Sequence, residues 1–271
     1  MRFTKITEAD SNHDKPEQMS VEQLSLIINE EDQTVADAVK KILPQINSFI
    51  EVTLLKMQQG GRLIYIGAGT SGRLGIIDAS ECPPTFGVSS ERVLGIIAGG
   101  DGAIRTAVEG AEDDMKQGWK DLEKYHISNL DTVVGIAASG TTPYVLGVIQ
   151  ACKSKGITTA SISCNPGSPI AKQADYPMIP VVGPEVITGS SRMKAGTAQK
   201  MILNTISSIL MIKLGHVKGN RMVDMQLSNQ KLHQRAIRMV CESSLVSEEK
   251  AIELLNVYGS VRKVLNHLKN E

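Results

Sequence analysis

Residues 62–72 read Arg-Leu-Ile-Tyr-Ile-Gly-Ala-Gly-Thr-Ser-Gly. An apolar run about as long as a buried strand ends there in a glycine-rich turn, which opens toward a helical stretch. Four further apolar runs follow at 93–99 (VLGIIAG), 132–139 (TVVGIAAS), 158–164 (TTASISC) and 177–182 (PMIPVV), most of them separated by room for a crossover helix. Continuous apolar strands alternating with helices predict a doubly wound parallel α/β sheet with helices on both faces. Ligands in such sheets bind beyond the carboxyl ends of the strands, so functional residues are expected just after each run.

Upstream, the first dozen residues read as a flexible arm. Ser20 and Gln23 have the spacing of a capping box, and Val21, Leu24, Ile27 and Ile28 follow at near-helical period. A second helix is expected from Thr34, bent or restarted at Pro44 and ended by Gly60-Gly61. Downstream, residues 190–215 read as one long helix whose Met193, Met201 and Met211 are core filler. Gln226 to Glu271 reads as two or three short amphipathic helices. The expected organisation is an N-terminal arm with helices over 1–50, the α/β domain over 51–216, and a C-terminal helical tail over 217–271.

Composition narrows the function. The chain has 271 residues, 41% hydrophobic and 21% charged, with 29 basic residues balancing 29 acidic ones. Zero net charge leaves no global basic field for nucleic acid or anionic lipid. Aromatics at 3% are too few for a platform that stacks single-stranded bases. Cys82, Cys152, Cys164 and Cys241 are scattered, with no C-x-x-C, and read as buried reduced thiols rather than metal ligands. No metal and no cofactor is expected. A polar N-terminus and the lack of any apolar run of membrane length predict a soluble, cytoplasmic protein.

Two loops carry the chemistry. Gly67-Ala-Gly69-Thr70-Ser71-Gly72 matches G-x-G-x-x-G, the dinucleotide fingerprint. That reading lacks its ribose-binding acid about 20 residues on, since Asp78 comes too early and Asp101 too late. The hydroxyls of Thr70 and Ser71 suit a sugar or phosphate instead. After the third run, Ser139-Gly140-Thr141-Thr142 precedes Pro143, a favoured first helical residue, so hydroxyls and free N–H groups collect at a helix N-terminus and attract anions. An ordinary cap needs Thr142 alone. A third cluster, Thr188-Gly-Ser190-Ser191-Arg192, opens the long helix the same way. Together these turns imply a polar pocket for a phosphorylated, hydroxyl-rich small molecule.

These residues resemble the sugar isomerase (SIS) domain, with 67–72 and 139–143 as its two ligand loops. The longer stretches LIYIGAGTSGRLGIIDASECPPTFG, AVEGAED, GIAASGTTPYV, ISCNPGSP and VITGSSRMKAGTAQK resemble the N-acetylmuramic acid 6-phosphate etherase family. The likeness runs from about Ser20 to about His233; the tail departs, since family members usually carry a longer one. The resemblance implies that Ser139, Thr141 and Thr142 hold phosphate and that Thr70 and Ser71 sit against the sugar. It further implies that Glu81 of S-E-C-P-P-T is a catalytic acid and that Glu112 of G-A-E-D is the second catalytic residue. The implied reaction cleaves a D-lactyl ether at C3 by elimination and then hydration. SIS domains commonly pair, so a homodimer is expected, with the long helix supplying its surface. A sugar-phosphate isomerase and a non-catalytic sensor resembling glucokinase regulatory protein are the alternatives.

On the residues alone, Glu81 lies in a turn fixed by Pro83-Pro84, and Glu112 in a helical stretch after the second strand. AVEGAEDD holds four acids, so a solvated helix face competes as a reading of Glu112, and Glu109 lies one turn away. Arg192 and Lys194 could neutralise a phosphate or a carboxylate, and His233 could reach a partner subunit's site; none is assigned a role.

Overall fold

The computed structural model of the protein describes residues 3–227 and 229–270. Its centre is a parallel five-stranded sheet of β1 (Leu63–Gly67), β2 (Val93–Ile97), β3 (Thr132–Ile136), β4 (Thr158–Ile162) and β5 (Tyr176–Met178), in the order β2-β1-β3-β4-β5. The five strands are those expected, although the last stops at Met178 instead of running to Val182. Alternate residues of each strand feed opposite layers, as the two-residue strand period requires. Leu63 and Tyr65 pack on one face with Val134, Ile136 and Ile162, while Ile64 and Ile66 pack on the other with Ile96 and Val133.

The first face is covered by α1 (Val21–Lys40), α2 (Leu43–Gln58), α3 (Gly69–Phe86) and α8 (Lys194–Lys213). The second is covered by α5 (Gln117–Glu123), α6 (Pro143–Ser154) and α7 (Pro169–Gln173), with the short α4 (Gly102–Arg105) following β2. A small hairpin of β6 (Val217–Lys218) and β7 (Arg221–Met222) leads to α9 (Gln230–Ser244), α10 (Glu248–Tyr258) and α11 (Val261–Asn270), which share an apolar cluster of their own. No helix among the described residues is long and apolar enough to cross a membrane.

The capping box opens α1: Gln23 N–H donates to Ser20 Oγ at 3.2 Å, and Ser20 N–H to Gln23 Oε1 at 2.8 Å. Several expectations are corrected. Thr34 lies inside α1 and starts nothing; the break falls at Lys41-Ile42, and α2 begins with Pro44 in its first turn. Of the α1 stripe, Val21 is 84% exposed and Leu24, Ile27 and Ile28 are half-buried. The arm is anchored, forming 3-10 turns at Ile6–Glu8 and Pro16–Gln18 with Thr7 fully buried. Pro83 and Pro84 fix no turn, because they lie in the last turn of α3, where only two carbonyl partners are lost before Gly87 caps the helix with φ +67°. Finally, α8 spends its apolar residues on the core: Ile202, Leu203, Ile206, Leu210 and Met211 are fully buried.

One buried carboxyl sits where α3 meets α8. Asp78 Oδ1 accepts the Ser207 hydroxyl at 3.1 Å, while Oδ2 has no hydrogen-bond partner among the described residues. Burial, only partly offset by the Ser207 hydrogen bond, pushes this carboxyl above its ordinary range. The folded chain thus holds the proton more tightly than the unfolded chain, and the stability from this group is lost as pH rises through the elevated folded value. Asp78→Asn, uncharged throughout, is expected to melt above the wild type at about pH 8 and to lose that advantage toward pH 4; a Tm gap that ignores pH over this range refutes the assignment.

Candidate functional site

The strand order turns at β1. Its neighbour β2 lies on one side and β3 on the other, so the chains leaving β1 and β3 diverge and open a crevice at their carboxyl ends. A cavity of about 350 Å³ lies there, lined by Ala68–Ser71 after β1, by Ala137–Ser139 and Thr141–Pro143 after β3, and by Glu8, Glu112, Asp113 and Ser191.

The first loop is tight for steric reasons. A Cβ on Gly67 would lie 2.8 Å from Gly72 N and 3.0 Å from Ile136 O, and one on Gly72 would lie 2.6 Å from Ile97 Cγ1. Gly67 and Gly72 therefore serve the approach of α3 to the sheet. Gly69 takes φ +52° as α3 begins, and Thr70 and Ser71 follow on its first turn. Ser71 is buried and donates to Gln199 Oε1 of α8 at 3.0 Å.

The second loop is held from below. Gly140 adopts φ +71°, and a Cβ there would run into Ser168 Oγ. Ser139 Oγ accepts both Thr141 N–H (3.2 Å) and the Thr141 hydroxyl (3.0 Å). Thr142 is the N-cap residue of α6, yet its side chain caps nothing, so that hydroxyl stays available to the cavity. Pro143 occupies the first turn as expected.

Glu112 reaches the cavity from a turn, not from the helix expected for it, because α4 ends at Arg105. Its backbone is tied to the second loop: Tyr144 N–H, in the first turn of α6, donates to Glu112 O at 2.9 Å. Glu112 also lines an adjoining cavity of about 260 Å³ with Arg73 and Glu109, whereas Glu109 lines that one only. This separates the two neighbouring glutamates.

Glu81 is not brought to the cavity. It is exposed near the far end of α3, twelve residues beyond Gly69, or about 18 Å along the helix axis. Ser190 and Gly140 belong to the surrounding turns but do not line the cavity, and Arg192 and His233 lie outside it as well. Lys194 is committed elsewhere. It is 3% exposed and its ammonium pairs with Glu31, which also accepts from His13 Nε2 at 3.0 Å. Burial drives the Glu31 carboxyl up, but the hydrogen bonds and charges of Lys194 and His13 outweigh it and hold it below its ordinary value. Glu185, 1% exposed, caps α8 by accepting Lys194 N–H at 2.9 Å and Ala195 N–H at 3.0 Å.

The residues missed by sequence reasoning are Glu8, Asp113, Asn165, Glu185 and Gln199. Asp113 sits in the same acidic run as Glu112 and could have been weighed there. The others belong to an arm, a loop and a helix with no local signal of chemistry. The cavity thus joins hydroxyls, backbone N–H groups and carboxylates, with no Lys or Arg among its lining residues. An anion would be held by neutral donors at the α6 N-terminus, and the carboxylates suit hydroxyls or reacting protons.

Comparisons with known proteins agree with this geometry. Residues 45–153 match the model of the glucokinase regulatory protein N-terminal SIS domain, 117–208 the SIS domain, and 219–269 the C-terminal lid domain of glucokinase regulatory protein. Among solved structures, a phosphoheptose isomerase from Francisella tularensis superposes with a TM-score of 0.53 at 16% identity, over 72% of this chain and 100% of that one, which shows a shared fold. N-acetylmuramic acid 6-phosphate etherase of Christiangramia forsetii is 58% identical over 98% of this chain and 97% of its own length. The protein of that name from Bacteroides thetaiotaomicron is 54% identical over 98% and 96%. The likeness therefore extends past the 20–233 stretch, and the tail of this chain does not depart from these relatives. With identity of this order along nearly its whole length, the chain belongs to the N-acetylmuramic acid 6-phosphate etherase family.

Proposed function

We propose that the chain is a carbon–oxygen lyase that removes the D-lactyl group from C3 of N-acetylmuramic acid 6-phosphate, yielding N-acetylglucosamine 6-phosphate and D-lactate in cytoplasmic recycling of peptidoglycan sugars. The observation that carries this reading is the convergence of two hydroxyl-bearing loops, the α6 N-terminus and Glu112 on one cavity, in a chain 58% identical to a protein named for that reaction. Ser139, Thr141 and Thr142 hold the phosphate with N–H groups of α6, and Gly140 shapes their turn. Gly69, Thr70 and Ser71, with Ser191 opposite, face the sugar, and Ser190 belongs to the same turn as Ser191 without lining the cavity.

The open-chain sugar carries an aldehyde at C1, which acidifies the hydrogen on C2. Glu112 removes that proton, the C3–O bond breaks as the C2–C3 double bond forms, and the departing lactate oxygen takes a proton from an acid. Water then adds at C3 and C2 is reprotonated. Glu81, the assigned acid, cannot reach this cavity in one chain, because a continuous helix holds it at the other end. The two-glutamate chemistry is therefore tied to a homodimer in which a second copy brings its own Glu81. Uncovered apolar residues on α1 and α2 offer a surface for such pairing: Val21 (84% exposed), Leu26 (57%) and Leu55 (60%).

Glu112→Gln is expected to lower lactate release by roughly 10²–10⁴-fold while sugar-phosphate binding persists; near-wild-type release overturns the role of Glu112. Absence of lactate from folded wild-type protein overturns the lyase reading altogether. Co-expression of Glu81→Ala chains with Glu112→Ala chains is expected to recover about one quarter of wild-type activity, since half the dimers are mixed and each mixed dimer has one intact site. Near-wild-type lactate release by Glu81→Ala alone places Glu81 outside the reaction, and two inactive variants that stay inactive when mixed overturn the shared site.

A further inference from the structure

One wall of the cavity comes from the N-terminal arm. Glu8, the last residue of the Ile6–Glu8 turn, lines the cavity together with Ser191 and the two loops. The residue before it is bolted in place. Thr7 N–H donates to Asn165 Oδ1 at 3.1 Å, and Thr7 Oγ1 accepts from Asn165 Nδ2 at 2.9 Å. The same Nδ2 donates to Ala138 O at 3.0 Å and Ser139 O at 3.2 Å. One fully buried amide therefore holds the arm and the Ser139–Thr142 loop in a single register. Ser11 adds a second anchor, its hydroxyl donating to Val186 O at 2.8 Å and its N–H to Thr188 Oγ1 at 2.9 Å.

The arm's backbone is thereby held beside the Thr188–Ser191 turn, and the exposed Glu8 side chain lies over it, where a Cβ on Gly189 would lie 3.2 Å from Oε2. Among the described residues it makes no hydrogen bond and no ion pair, so its acceptor positions are open to a ligand. A carboxylate only accepts. Glu8 lines the same cavity as Glu112 and Asp113, where no Lys or Arg competes for it, and so suits a ligand group that donates.

We propose that Glu8 is a specificity-determining residue that accepts a hydrogen bond from a hydroxyl or amide N–H of the bound sugar phosphate, at the part of the ligand away from its phosphate. This rests on the sugar-phosphate reading of the cavity and adds to it a contact that selects the donor-bearing part of the sugar. Because the arm is pinned to the phosphate loop through Asn165, the distance between the phosphate site and this acceptor is set by the fold, which lets the pair measure the ligand.

The test is calorimetry of wild type, Glu8→Gln and Glu8→Ala with N-acetylglucosamine 6-phosphate and, separately, with inorganic phosphate. Loss of a charged acceptor is expected to raise the Kd for the sugar phosphate about tenfold in Glu8→Ala. Glu8→Gln, which keeps one acceptor oxygen, should lose less. Inorganic phosphate should bind all three proteins within about twofold of one another, and Tm should not change, since the side chain has no partner among the described residues. Variants that bind the sugar phosphate as tightly as wild type overturn the assignment of Glu8 alone. An equal loss for inorganic phosphate also overturns it, by showing a general disturbance of the pocket. Wild-type protein that binds no sugar phosphate takes down the reading of the cavity, and the Glu8 assignment with it.

Discussion

The crevice between β1 and β3 is the constraint on which the rest depends. Two parallel strands paired from Leu63↔Thr132 to Gly67↔Ile136 must send their chains to opposite faces if both faces are to be covered. The backbone leaving them then exposes N–H groups and hydroxyls at one edge, and no apolar packing can fill the gap. Gly67 and Gly72 let α3 start at the lip of that crevice, and Gly140 lets the second loop turn above Ser168. Most polar groups of the cavity hang from these turns or, like Glu112 through the Tyr144 N–H to Glu112 O bond, are tied to them.

Electrostatics follow from that geometry. The buried cation nearest in sequence to the third turn, Lys194, is neutralised by Glu31 and backed by Glu185 at the start of α8. An ammonium that faced the cavity could clamp an anion, but one buried at 3% exposure must be paired at home or lose its charge. An anion in this cavity would meet only neutral donors, and the carboxylates lining it would suit hydroxyls and protons.

The strands, the glycine loops and the carboxyl-end location of the site were legible because each is a local pattern: an apolar run, a steric demand for glycine, a proline at a helix start. The unread parts depend on contacts distant in sequence. Nothing near Thr7 announces that Asn165, 158 residues away, will bury it. Lys194 looks like any basic residue at a helix start until Glu31 of α1 comes alongside. The prolines after Glu81 were read by their usual effect, yet in a last helical turn they cost little, so the rigid object there is the helix and not a turn. Glu112 stands in a turn and not in the predicted helix, since a stretch holding four acids within six residues carries no helical signal that differs from a solvated loop.

The rigidity of α3 has the largest consequence for chemistry. Its first turn is part of the cavity, and its last is fixed to the tail: Gln226 N–H donates to Pro84 O at 3.2 Å, and Gly87 packs so closely on Asp224 that a Cβ would collide with its carbonyl. Asp224 is in turn held by His216 at 3.0 Å and by Arg262 Nε at 2.6 Å, which outweigh burial and keep its carboxyl below its ordinary range. Bending an 18-residue helix far enough to bring Glu81 over its own N-terminus would break both this anchorage and the α3–α8 contact. A carboxyl so placed can act on the cavity of another copy or on none, and the same anchorage that denies it to its own chain is what would present it, at a fixed height, to a partner.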